Sequence, residues 1–84
     1  MKSRQVLLKV YGRQVSYFRS LPLHSSQEEV EKHKGFSVFS YNLAPDFDFK
    51  QDVLSFGDTV EVLEPMSLRN AMREQVAKLS ELYG

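Results

Sequence analysis

Gly12, Pro22, Gly35, Pro45, Gly57 and Pro65 cut this chain into short stretches, none long enough for more than one helix or strand. Each stretch carries its own hydrophobic period. Arg4 to Tyr11 (RQVLLKVY) is dense in β-branched and aromatic residues and stops at Gly12, which predicts a strand. Val6, Leu8 and Val10 line one face of it, and Leu7, Lys9 and Tyr11 line the other. Arg13 to Ser20 places Val15, Phe18 and, just beyond, Leu21 on one stripe. This is a short amphipathic helix that Gly12 caps and Pro22 ends.

His24 to Lys34 (HSSQEEVEKHK) reads locally as a helix start, because Ser25 with Glu28 and Ser26 with Glu29 have capping-box spacing. Its one aliphatic residue, Val30, leaves no apolar stripe to bury. Lys34-Gly35 then precedes Phe36 to Leu43 (FSVFSYNL), an aromatic and β-branched strand. Gln27 to His33 is therefore expected to be its hairpin partner, an edge strand whose charges discourage aggregation. After Ala44-Pro45, Asp46 caps a helix to Phe56, and Gly57 supplies the left-handed residue past its end. Thr59 to Leu63 alternates as a strand up to Pro65. Ser67 is expected to cap a last helix with a stripe of Leu68, Met72, Val76, Leu79 and Tyr83. The order is β-α-β-β-α-β plus a helix. It predicts an α+β fold, a ferredoxin-like antiparallel sheet with two helices on one face and an additional C-terminal helix. The stripe on that last helix needs something to cover.

A chain of 84 residues supports one core, so 1–84 is expected to be a single domain, with Met1-Lys2-Ser3 as an added start. It has no cysteine, which excludes disulfides, zinc knuckles and thiol catalysis. No apolar run approaches the ~20 residues of a membrane span, and no signal-peptide core is present, so a cytoplasmic location without membrane contact is expected. The formal net charge is zero, but it is unevenly laid out. Lys2, Arg4, Lys9, Arg13 and Arg19 make the first 23 residues basic with no acid among them. Residues 24–65 are acidic, through Glu28, Glu29, Glu31, Asp46, Asp48, Asp52, Asp58, Glu61 and Glu64. Such a split marks a binding face or, more simply, strands of opposite sign paired in one sheet.

The catalytic inventory is thin. Ser25, His24 and Glu28 are sequence neighbours, and neighbours rarely orient one another as a triad requires. Glu29, Glu31 and His33 share a strand face at a spacing compatible with a metal, but solvated charged edges are far commoner. The glycines are isolated turn positions, so there is no phosphate-cradling loop. No enzyme, no metal and no cofactor are expected. A ferredoxin-like sheet can present aromatics on its open face for stacking bases. Tyr11 is one candidate, with either the Phe36/Val38 or the Phe39/Tyr41 set; Tyr11, Phe39 and Tyr41 form the alternative site. The zero net charge argues against autonomous nucleic-acid binding.

The second half of the chain carries a more specific signal. Leu54-Ser55-Phe56-Gly57, then Val60-Glu61-Val62-Leu63-Glu64-Pro65, then Leu68-Arg69 and Tyr83 occur in this order, preceded by Leu21 to Gln27 (LPLHSSQ). This set resembles the C-terminal extension, often called WCX, of WYL-domain bacterial transcriptional regulators, over roughly Arg4 to Tyr83. The resemblance implies a non-catalytic regulatory and interaction domain. Such regulators bind DNA through an N-terminal helix-turn-helix and sense effectors, nucleic-acid fragments included, through the WYL module. The extension helps form homodimers and part of the effector cleft. This chain shows neither a helix-turn-helix nor a WYL tripeptide, so it is expected to be a piece of such a regulator, partnered by the WYL module of its own or a partner chain. The resemblance also favours a strand after LPLHSSQ. Basic or polar residues near predicted element ends are then the candidate effector- or partner-binding set: Arg4, Arg13, Arg19, His24, Gln27, Arg69 and Arg73. Arginine pairs bidentately with phosphate or carboxylate, which suits both roles. The alternative is a small effector or single-stranded nucleic-acid binding module that uses the open sheet face.

Overall fold

Val6, Leu8 and Val10 are fully buried at alternate positions of β1 (Arg4–Tyr11), which is what a strand at the middle of a half-covered sheet requires. The computed structural model describes residues 3–84, so Met1 and Lys2 of the expected added start lie outside the described residues. β1 pairs antiparallel with β3 (Phe36–Leu43) on one side and β4 (Val60–Glu64) on the other. β2 (Glu28–His33) pairs antiparallel with β3, giving a four-stranded sheet of order β2-β3-β1-β4. With α1 (Gln14–Ser20), α2 (Phe47–Ser55) and α3 (Met66–Tyr83), this is an α+β fold.

The register explains the core. Leu8 lies opposite Phe39 on one side and Val62 on the other, Val10 opposite Ser37 and Val60, and Val6 opposite Tyr41. Opposed residues share a face, and α1 and α2 cover this one with Val15, Phe18, Phe49 and Val53. The Phe18 ring contacts Phe39 and Phe56 at centroid distances of 5.6 and 5.0 Å. Asp46 caps α2 by accepting a hydrogen bond from the Phe49 amide at 2.8 Å.

Two turns meet at one end of the sheet. Gly12 and Gly35 both have left-handed φ, 59° and 92°, and the Gly12 amide donates to the Gly35 carbonyl at 2.8 Å. This bond ties the end of β1 to the hairpin between β2 and β3. Gly12 itself is not the helix cap: Arg13 occupies that position, without a side-chain bond.

β2 has no apolar stripe, and it is held by polar links and a bulge. Its register against β3 shifts between Glu29 and Glu31, leaving Val30 half exposed. Glu29 faces the helix side opposite Phe39, whereas Glu31 and His33 face the open side opposite Val38 and Phe36.

α3 departs from expectation in two ways. It starts at Met66 with Pro65 at the cap position, so Ser67 does not cap it; the Ser67 hydroxyl accepts from Arg4 at 2.9 Å instead. Only Leu68 and Met72 of the apolar stripe reach the core, while Val76, Leu79 and Tyr83 stay exposed. The helix side of the sheet is already filled by α1 and α2, and an 18-residue helix is ~27 Å long. Its last turns therefore stay exposed, Leu82 and Tyr83 most of all. No helix among the described residues is long and apolar enough to cross a membrane.

Candidate functional site

β4 is an edge strand, and the residues after it build a groove along it. Leu68 is buried and pins the first turn of α3 to the core. Arg69, the next residue, turns its guanidinium to β4. Its Nη1 donates to Glu61 Oε2 at 2.8 Å and to the Val62 carbonyl at 2.7 Å. The Tyr11 hydroxyl, from the end of β1, donates to Glu61 Oε1 at 2.8 Å. Both carboxylate oxygens are thus held. The Arg69 bond first, then the Tyr11 bond, keep the Glu61 pKa below the usual carboxylate range.

One helical turn beyond, Met72 packs on the core, and Val76 stands half exposed. Val60 and Val62 from β4, Val53 and Leu54 from α2, and Met72 and Val76 from α3 line an apolar groove of about 530 Å³. Arg69, Arg73, Glu61 and Asp58 stand at its polar margin. Arg73 is exposed and makes no hydrogen bond to another described side chain. The volume falls among those of small-molecule sites, ~300–1,000 Å³, with few polar groups around an apolar floor.

Of the seven polar candidates, the structure brings Arg69 and Arg73 together in this groove. The others are dispersed. Arg4 bonds Ser67 near the start of α3. Arg13 is exposed at the start of α1. Arg19 grips Glu29 bidentately, Nε at 2.9 Å and Nη2 at 2.7 Å, and Ser37 donates to the same carboxylate at 2.7 Å. The Arg19 bond is the main cause of a Glu29 pKa lowered to about 2. Gln27 makes three hydrogen bonds: its Oε1 accepts from the Tyr41 hydroxyl at 2.6 Å and the Leu23 amide at 3.0 Å, and its Nε2 donates to the Phe18 carbonyl at 2.9 Å. His24 Nδ1 bonds Ser26, whose hydroxyl also accepts from the Asn42 amide. These last three residues hold α1 and its following loop to the sheet.

The model of the WCX domain matches residues 2–80 of the chain. The chain belongs to the WCX domain family. Membership implies a regulatory-domain context. A search among curated proteins finds no significant match.

The open sheet face of this WCX domain differs from the expected one. Phe39 and Tyr41 are buried under α1 and α2, because they pair with Leu8 and Val6 on the helix side. Tyr11 does lie on the open face, with Phe36 at 6.3 Å. His33 stacks on Phe36 at 4.5 Å, and Lys9 Nζ sits 4.3 Å from the Phe36 centroid and 5.1 Å from that of Tyr11. Sequence reasoning missed Lys9 and His33 here, although alternation from Tyr11 pointed to Lys9. It also missed Glu61 as the anchor of Arg69. Among the described residues no three His, Asp or Glu side chains gather as metal ligands.

Proposed function

We propose that this WCX domain is a non-catalytic regulatory module of a bacterial WYL-type transcriptional regulator. It contributes to homodimerisation and, with the WYL module of the same or partner chain, to an effector-sensing cleft. DNA contact belongs to the regulator's helix-turn-helix, and the protein works in the cytoplasm without membrane contact. We read its first six elements as a ferredoxin-like unit with α3 appended; the element order and the central place of β1 and β3 support this.

The β4-edge groove carries the functional reading. An apolar floor with Arg73 free to pair suits an effector with an apolar body and an anionic head. Arg69 is half committed to Glu61 and helps fix the groove's shape. The test is an NMR titration with anilinonaphthalene sulfonate, which combines an apolar ring system with one anion. Saturable shifts at Met72, Arg73 and Val76, weakened several-fold by Arg73→Ala, are expected. Shifts that ignore the groove, or survive Arg73→Ala unchanged, count against it.

A second reading is favoured by the open face, where Lys9 sits over the Tyr11 and Phe36 rings and His33 stacks on Phe36, with Glu31 bonded to His33 at 2.8 Å and Glu61 to Tyr11. Such a surface suits stacking of an unpaired base beside a phosphate. Titration with a short oligothymidine at low salt separates the two readings. Saturable shifts confined to Lys9, Tyr11 and Phe36 favour the second.

A further inference from the structure

A second concavity lies away from the β4-edge groove and shares no lining residue with it. Four elements meet there. Arg4 opens β1 opposite Leu43, the last residue of β3, and Ala44-Pro45 leads on from that strand. Lys50 comes from near the start of α2, and Ser67 and Ala71, one helical turn apart, from the start of α3. Buried Leu68 pins that start of α3 to the core and so fixes the wall. The volume is about 230 Å³, below the ~300–1,000 Å³ of sites that enclose a whole small molecule. A compact head group fits such a space.

The chemistry of this wall is one-sided. Ala44, Pro45, Leu68 and Ala71 bring no polar side-chain atom. Arg4 and Lys50 are donors only. Ser67 Oγ already accepts from Arg4 Nη1 at 2.9 Å, which leaves its own proton to donate. Among the described residues no Asp or Glu lines the concavity. Asp46 follows Pro45 in the chain, but its carboxylate accepts from the Phe49 amide. The arginines show the same imbalance. Arg19 and Arg69 each hold a carboxylate, that of Glu29 and of Glu61. Arg4 holds a neutral hydroxyl instead, and neither Arg4 nor Lys50 is in an ion pair among the described residues.

We propose that Arg4, Lys50 and Ser67 bind the phosphate head of a small phosphate monoester. Arg4 donates through the guanidinium N–H groups that Ser67 does not use, Lys50 through its ammonium and Ser67 through its hydroxyl. One anion then draws together the starts of β1, α2 and α3, so occupancy of the site adds to the stability of the fold. The site is separate from the groove, and Arg73 takes no part in it.

Inorganic phosphate is the probe, titrated into the isotope-labelled chain at an ionic strength held constant with chloride. Saturable NMR shifts at the Ser67 amide, the Arg4 Nε–H and the Lys50 side chain are expected, with a urea midpoint that rises along the same binding curve. Exclusion of phosphate from protein surfaces also stabilises folded chains, but without saturating. Arg4→Gln and Lys50→Gln should each weaken the saturable binding about tenfold, the loss of one charge-assisted hydrogen bond. Both side chains lie outside the core, so the sheet signals should persist. Lys34→Gln, the same loss of charge in the turn between β2 and β3, should leave binding unchanged. Shifts that rise without saturating, that persist in the Arg4→Gln/Lys50→Gln double variant, or that centre on Arg73 overturn the proposal. So does a short oligothymidine without terminal phosphate that occupies Arg4 and Lys50 more tightly than inorganic phosphate, since its internal phosphodiesters offer no free head group.

Discussion

Replacing Gln27 should be among the most damaging single polar changes in this protein. Among the described residues its side chain is the only hydrogen-bond partner of the Tyr41 hydroxyl, and it also serves the Leu23 amide and the Phe18 carbonyl. Tyr41 is 1% exposed, and burial pushes its phenol pKa up, so the hydroxyl remains a proton donor in need of an acceptor. Gln27→Ala removes three hydrogen bonds worth ~1 kcal/mol each. A loss of about 3 kcal/mol is expected, against a total of roughly 4–13 kcal/mol for a domain of this size. Tyr41→Phe alone should cost about 1 kcal/mol, because Gln27 keeps its other two partners. Made in the Gln27→Ala background, the same change should cost nothing, since it removes the orphaned hydroxyl. The cycle therefore predicts a coupling of about 1 kcal/mol. Urea unfolding of wild type, both single variants and the double variant measures it. Additivity within about 0.3 kcal/mol would refute the argument that Gln27 acts as the acceptor for Tyr41.

Acid should weaken the contribution of the Arg19–Glu29 pair. The folded pKa of Glu29 is depressed to about 2, so its contribution is complete above the unfolded value near 4.5 and is lost as pH falls through that interval. Glu29→Gln should be less stable at neutral pH and show a flatter stability profile between those limits; an unchanged acid profile contradicts this. Arg69→Ala should raise the Glu61 pKa towards the ordinary carboxylate range, readable by NMR titration of the side-chain carboxyl. Gly57 has a φ of +63°, and an alanine there meets open space, so Gly57→Ala should cost only the left-handed backbone penalty of ~1–2 kcal/mol in urea unfolding.

Much of the fold is visible in local chemistry. Asp46 caps α2 as its position before Phe47 suggests, and the alternation in β1 predicts its buried face. β2 is harder, because Val30 is its only aliphatic residue and the bulge there moves later residues across the sheet. Tyr41 and Phe39 show a different difficulty. Alternation says that they share a face with each other, but which face depends on pairing with Val6 and Leu8, a long-range fact. The groove is partly legible: Arg69 and Arg73, one helical turn apart, fall on one wall. The partner of Arg69 is not, since Glu61 lies on another element and gains its second bond from Tyr11 at the far end of β1.

The bond from Arg69 to the Val62 carbonyl has a consequence for how the sheet ends. β4 borders solvent, and a bare border strand can recruit a foreign one. The bulge at Val30 and the surrounding charges guard the opposite border at β2. At β4, a single guanidinium both occupies a main-chain acceptor and belongs to the groove margin. Any contact that draws Arg69 away from Val62 strips that protection at the same moment, so the shape of the groove margin and the stickiness of the sheet border are set by one side chain.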